Sequence, residues 1–199
     1  MIAIIDYGMG NLRSVQKALE TTGAFTIITQ DADDLKKAER IVLPGVGAMA
    51  PAMARLKDLG LIKSIHEAIA DKKPFLGICL GFQLLFDSSD EGGHVQGLGL
   101  IPGSVRRFQQ GKIPHMGWNQ LNQKNASSRL FSGIENHTHV YFCHSYYAAP
   151  KEVRISTTTT DYGIEFTSSI EQDPIYGVQF HPEKSQAVGL KILKNFVEK

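Results

Sequence analysis

Cysteine, tryptophan and an excess of either charge are what this chain of 199 residues has least of. Its two cysteines, Cys79 and Cys143, are too few for a disulfide framework, and neither sits in a CxxC pair or a His/Cys cluster with metal-ligand spacing. The formal net charge is +1 and no basic stripe appears, which argues against nucleic acid as a direct partner. The longest apolar run, residues 74–86, is too short and too broken by glycine to span a bilayer. The opening MIAIIDYGMGN has no basic segment and no cleavage site, and reads as a strand. No repeat, low-complexity segment or interdomain linker is found. These absences lead to the expectation of a single domain over residues 1–199, reduced and cytoplasmic, without metal, cofactor or membrane contact.

What is present is enough to fold. Composition is 42% hydrophobic and 21% charged, which leaves no reason to expect disorder. Residues 1–6 read as a strand, followed by the turn YGMGN. Asn11 is placed to cap a helix whose Leu12, Val15 and Leu19 share one face, and Gly23 to stop it. FTIIT, RIVLPG and PFLGIC read as further strands. Residues 49–70 are helical in composition, with interruptions at Pro51 and Gly60, and GFQLLF begins another helix. This alternation predicts an α/β fold, an open, mostly parallel sheet flanked by helices. From Gly92 to about Arg154, short β-like pieces predict an added antiparallel region. A final helix is expected from about Ser185 to Val197.

The stretch PFLGICLGFQLLF carries the first chemical signal. GxCxG has the pattern of the G-x-S-x-G nucleophile elbow with sulfur in place of oxygen. A strand that turns directly into a helix strains the turn residue, and side chains two positions away would collide unless they are glycine, as Gly77 and Gly81 are. Cys79 would then stand at the carboxyl edge of the sheet, with a helix N-terminus behind it favouring thiolate and the Leu80 N–H aimed at a developing oxyanion. The motif alone fits a buried structural cysteine equally well.

A nucleophilic cysteine needs a base. Of the seven histidines, His181 follows the strand-like IYGVQF and precedes Pro182 and Glu183. In an extended segment, residues i and i+2 face the same way, so Glu183 can orient one imidazole nitrogen while the other faces the thiol. A strand end followed by a solvated charged loop accounts for HPE as well. His66 reads as surface or core, His94, His137 and His139 as turn or strand-start residues, and His115 and His144 as satisfied core histidines. Cys143, in the aromatic strand VYFCHSYY without glycine flanks, reads as packing. YGMGN lacks the third glycine of a dinucleotide fingerprint, since Arg13 stands there.

GxCxG with a late HPE is the signature pair of the class I, or triad, glutamine amidotransferases. IAIIDYGMGNLRSV, LPGVGA, IPHMGWN, YFCHSYY and GVQFHPEKS together resemble one branch of it, the glutaminase subunits of imidazole glycerol phosphate synthase. The resemblance implies a flavodoxin-like fold and a catalytic triad of Cys79, His181 and Glu183. It implies hydrolysis of L-glutamine through a Cys79 thioester. Ammonia would pass to a separate cyclase subunit, held one-to-one, that makes imidazole glycerol phosphate and AICAR in histidine biosynthesis. Leu80 would supply one oxyanion donor, and Val46 and Gly47 of PGVG the other, in a loop that turns productive when the cyclase is engaged. The same glycines suit a plain turn. Gln83, Glu91, Ser145, Tyr146 and Gly45 become candidates for glutamine contact, and Asn11, Trp118, Tyr141 and Lys184 for the cyclase face; a core position for Trp118 is the alternative. Phe82 stands where the branch is expected to have methionine. An amidotransferase of anthranilate or pyridoxal phosphate synthesis, and a cysteine amidase or peptidase on a similar fold, stay open at this level.

Overall fold

The computed structural model describes residues 1–198. Up to the elbow, strands and helices alternate: β1 (Ile2–Ile5), α1 (Leu12–Thr21), β2 (Thr26–Thr29), α2 (Ala32–Lys37), β3 (Arg40–Gly45), α3 (Met49–Asp58), α4 (Leu61–Ala70) and β4 (Phe75–Cys79). A one-turn helix α5 (Leu80–Gln83) follows. Then come β5 (Phe86–Ser89), β6 (Val95–Gln96), β7 (Ile101–Arg107), β8 (His115–Gln120), β9 (Asn122–Gln123), β10 (His139–His144), β11 (Tyr146–Pro150), β12 (Ser156–Asp161), β13 (Glu165–Gln172), β14 (Ile175–Val178) and α6 (Gln186–Glu198).

The large sheet runs β2-β1-β3-β4-β14-β13-β11-β7-β5-β6, with β12 beside β13 and β9 beside β12. From β2 to β14 the neighbours are parallel, and beyond β14 most pairs are antiparallel. β8 and β10 form a separate antiparallel ribbon. Alternation along β1 places Ala3 and Ile5 in one apolar cluster and Ile2 and Ile4 in the other, so both faces of the parallel half are covered. Leu35, Leu56 and Ile65 of α2–α4 belong to the first cluster, and Leu19 and Ile192 of α1 and α6 to the second. Cutting any of the isoleucines or leucines among them to alanine is expected to cost about 2–5 kcal/mol. Among the described residues no helix is long and apolar enough to cross a membrane.

The element order agrees with the sequence pattern, with three local differences. Pro51 does not interrupt α3, because it lies in the first turn, where no intrahelical N–H is needed. The break between α3 and α4 comes at Gly60 alone, at φ +68°. Asn11 occupies the N-cap position of α1, but its side chain makes no capping hydrogen bond; its carbonyl accepts from Ser14 and Val15. GFQLLF does not begin a long helix. The Leu84 carbonyl is taken by the Leu98 N–H and the Leu85 carbonyl by those of Leu100 and Ile101, so the helical ladder ends and β5 begins.

Candidate active site

The register brings the carboxyl ends of three strands together. Gly45 at the end of β3 lies opposite Cys79 at the end of β4, and β14 flanks β4 on its other side. Cys79 sits at φ +54°, ψ −107°, a strained conformation for a residue with a Cβ and the backbone of a nucleophile elbow. The flanking glycines provide the clearance. A Cβ on Gly77 would come within 2.7 Å of the Gly81 carbonyl oxygen, and one on Gly81 would overlap the Leu43 carbonyl oxygen. Cys79 is only 5% exposed, in the lining of a cleft. One expectation needs correction. The helix behind it is only one turn long, so its dipole is a minor influence.

β14 leads to His181. His181 Nδ1 lies 2.8 Å from Glu183 Oε1, and both side chains are almost fully buried. The segment is not extended, as the i, i+2 argument assumed. Pro182–Lys184 form a 3-10 turn, closed by the Lys184 N–H on the His181 carbonyl and the Ser185 N–H on that of Pro182. Pro182 suits the first position of such a turn, and the turn still brings Glu183 back to His181. Burial alone pushes the His181 pKa down. The neighbouring Cys79 sulfur and the hydrogen-bonded Glu183 carboxylate outweigh burial and raise it to about 10. Among the described residues Glu183 Oε2 is buried without a hydrogen-bond partner, so His181 is the group this carboxylate is seen to pair with.

Around these groups lies a cleft of about 270 Å³. Val46, Gly47, Leu80, Gln83, Glu91, Ser145 and Tyr146 line it, and so does Lys184, which the resemblance places on the cyclase face. Gly45 does not; it is buried beneath, where a Cβ would run into Tyr7 and Leu80. Gln83 is already engaged, donating to the Tyr146 carbonyl at 2.8 Å and to Gln179 Oε1 at 3.1 Å. Glu91 Oε2 accepts the Met49 N–H at 2.8 Å, closing the start of α3, which lacks a side-chain cap of its own. Val46 is 43% exposed and Gly47 is at φ +104°, so it is the outer half of PGVG that lines the cleft with Cys79.

Several contributors were not singled out by sequence. Cys143, expected to be packing, lines the cleft, and its carbonyl oxygen lies 3.8 Å from Cys79 Sγ. Gln179, fully buried, has its amide nitrogen 3.9 Å from the same sulfur. Ser185 donates to the His181 carbonyl and accepts the Tyr141 N–H, tying the HPE turn to β10; it stands in the quoted HPEKS. Phe82 is fully buried, its ring 5.3 Å from Phe86 and filling the space a Cβ on Gly177 would need. His115 and His144 are satisfied core histidines. Asn119 Nδ2 donates to His115 Nε2, His115 Nδ1 lies 2.9 Å from His144 Nε2, and His144 Nδ1 donates to the Tyr146 carbonyl. Burial lowers their pKa values, to about 4 for His115 and about 3 for His144. His66, His94, His137 and His139 are exposed.

An elbow cysteine beside a carboxylate-paired histidine is a geometry with known relatives. The profile of the class-I glutamine amidotransferases matches residues 3–199. The chain belongs to that family. Two curated members similar to it are named imidazole glycerol phosphate synthase subunit HisH. That of Moorella thermoacetica is 54% identical over 198 residues, covering 99% of this chain and 94% of its own. That of Geobacter metallireducens is 52% identical over 203 residues, covering 98% and 96%. Two solved structures share the fold: a glutamine amidotransferase, at TM-score 0.79 and 16% identity over 100% of this chain and 98% of its own, and PurLQS from Thermotoga maritima, at 0.74 and 19% over 99% and 97%.

At the rim of this class-I amidotransferase, Trp118 of β8 is 48% exposed and is not a core residue. It pairs with Tyr141 of β10, ring centroids 6.1 Å apart, and Lys184 Nζ stands 5.8 Å from the centre of the Tyr141 ring. Asn11 is exposed at the start of α1, which packs against the Pro182–Lys184 turn. The cleft and this apolar rim therefore share one edge of the molecule, joined at Lys184.

Proposed function

We infer that the chain is the glutaminase subunit of an imidazole glycerol phosphate synthase, acting in the cytoplasm on L-glutamine and delivering ammonia to a separate cyclase subunit. The observation that carries the chemistry is the His181–Glu183 pair, buried beside the strained elbow cysteine in a cleft large enough for an amino acid. Identity of about half over nearly the whole chain to proteins named as that subunit carries the pathway.

In this reading Cys79 Sγ attacks the side-chain amide carbon of glutamine, and the thiol proton goes to His181. Glu183 holds Nδ1–H and favours the imidazolium, which matches the raised His181 pKa. The tetrahedral oxyanion is received by the Leu80 N–H and by a PGVG amide, from Val46 or Gly47. His181 returns its proton to the amide nitrogen, the C–N bond breaks, and ammonia leaves a γ-glutamyl thioester. Water, deprotonated by His181, then releases glutamate and restores the thiol. Glu91, Ser145, Tyr146 and Gln83 hold the substrate, Gln83 and Glu91 also bracing the walls. Trp118, Tyr141, Lys184 and Asn11 meet a one-to-one cyclase partner, consistent with the enrichment of tryptophan and tyrosine at interface hot spots.

The test is glutaminase turnover with and without the purified cyclase and its ribonucleotide substrate. Stimulation is expected, and equal rates would remove the gating by the partner. Cys79→Ala should abolish glutamine use while the complex still cyclises with added ammonia. Glutamine-dependent synthesis by that variant would rule out Cys79 as the nucleophile.

A further inference from the structure

One buried polar group is idle in the mechanism. Tyr7 follows β1, is fully buried, and its hydroxyl has no hydrogen-bond partner among the described residues. Buried hydroxyls are seldom left this way, because they have given up water for nothing. Phenylalanine would fill the same space without that cost. A hydroxyl kept there points to an acceptor that the resting chain turns elsewhere.

The surroundings identify that acceptor. β1, β3 and β4 are adjacent, and a Cβ on Gly45 would overlap the Tyr7 hydroxyl oxygen. Burial raises the Tyr7 pKa, and the charge of Cys79 raises it further, so the hydroxyl keeps its proton and serves as a donor. The peptide beside it with freedom to turn is Gly45–Val46, whose rotation is taken up on one side by Gly45, while Gly47 at φ +104° lets the chain beyond Val46 adjust. The N–H and C=O of a peptide point in opposite directions. Turning the Val46 N–H into the cleft that Val46 lines swings the Gly45 carbonyl inward, toward Tyr7.

We infer that Tyr7 is a positioning residue for the oxyanion loop. Its hydroxyl donates to the Gly45 carbonyl when the Gly45–Val46 peptide offers its N–H to the tetrahedral intermediate, and so holds the loop in that orientation. The inference rests on PGVG being the second arm of the oxyanion hole.

The experiment compares wild type with Tyr7→Phe, alone and with the cyclase subunit and its ribonucleotide substrate. Thermal melts, glutaminase kcat and KM, and the rate of iodoacetamide alkylation of Cys79 are measured. The variant should melt at or above the wild-type temperature, since it loses only an unpaired hydroxyl. Its kcat should fall about tenfold, the size of one lost hydrogen bond, with KM and alkylation rate within about twofold. A kcat within twofold of wild type overturns the inference. So does an alkylation rate that falls in step with kcat, which would place Tyr7 on the thiol rather than the loop, or a clear drop in melting temperature, which would make it a core residue. A wild type with no glutaminase turnover in any condition fails the functional reading itself, a result distinct from an active wild type matched by the variant.

Discussion

His181 and the His115–His144 pair are buried to nearly the same depth, a few per cent exposed, yet they carry opposite charge preferences. Burial lowers all three. For His115 and His144 nothing opposes it strongly: their ring nitrogens meet each other, the Asn119 amide and the Tyr146 carbonyl, all neutral groups. His181 instead faces Glu183 and Cys79, and ends near 10. Depth in the core therefore does not decide which histidine holds a proton; the Cys79 sulfur and a carboxylate two residues along the chain do. The neutral pair is structural. It carries a directed chain of hydrogen bonds from β8 across β10 to Tyr146 at the cleft wall.

The sharpest way to break this contrast is to remove each side in turn. His181→Ala should lower glutaminase kcat by at least about 10⁴-fold. His115→Phe should leave turnover within about tenfold and cost about 1–3 kcal/mol in urea unfolding, because His144 loses a partner. Comparable losses of turnover would mean that the pair belongs to the chemistry.

Next in size is Glu183→Gln, expected to lower kcat by about 10²–10⁴-fold. The His181 pKa should fall in this variant, because burial is then opposed by less charge. Nitrogen NMR of the labelled imidazole reads it directly, and a value still near 10 would show that Glu183 is not what holds the proton.

Stability should respond to pH from both ends. His115 and His144 have pKa values below their unfolded value of 6.5, so the unfolded chain binds protons that the folded chain refuses. Their contribution is lost as pH falls from about 6.5 toward 4 and 3. His181 is raised, so its contribution is complete below 6.5 and lost as pH rises toward 10. Urea midpoints taken from pH 4 to 10 should therefore peak near neutrality. In His115→Phe the acid limb should flatten while the alkaline limb stays. The smallest effect belongs to Asn119→Ala, at the outer end of the chain of hydrogen bonds: about 1 kcal/mol of stability and an unchanged kcat.

Legibility followed the range of the interactions. The elbow could be read because its demand is local: two glycines must clear a strained turn, and both lie within two residues of Cys79. HPE could be read because Glu183 reaches His181 within one turn of chain, although the turn proved to be 3-10 rather than extended. The short α5 could not, since what ends it are amides at Leu98, Leu100 and Ile101. The place of Cys143 at the cleft and the proximity of Gln179 to the thiol depend on which strands neighbour β4, and periodicity does not report that. Trp118 was ambiguous for the same reason: a strand in a two-stranded ribbon leaves one face uncovered, and only the partner strand shows which.

The insertion of β14 beside β4 has a consequence for the order of events during synthesis. β4 and its cysteine emerge early, but the neighbour that completes the sheet and leads to the base is made about a hundred residues later. Until then β4 has an open hydrogen-bonding edge, a site for mispairing that favours chaperone capture. A chain cut short before residue 181 holds Cys79 without the buried His181–Glu183 pair, and on the proposed mechanism it cannot hydrolyse glutamine.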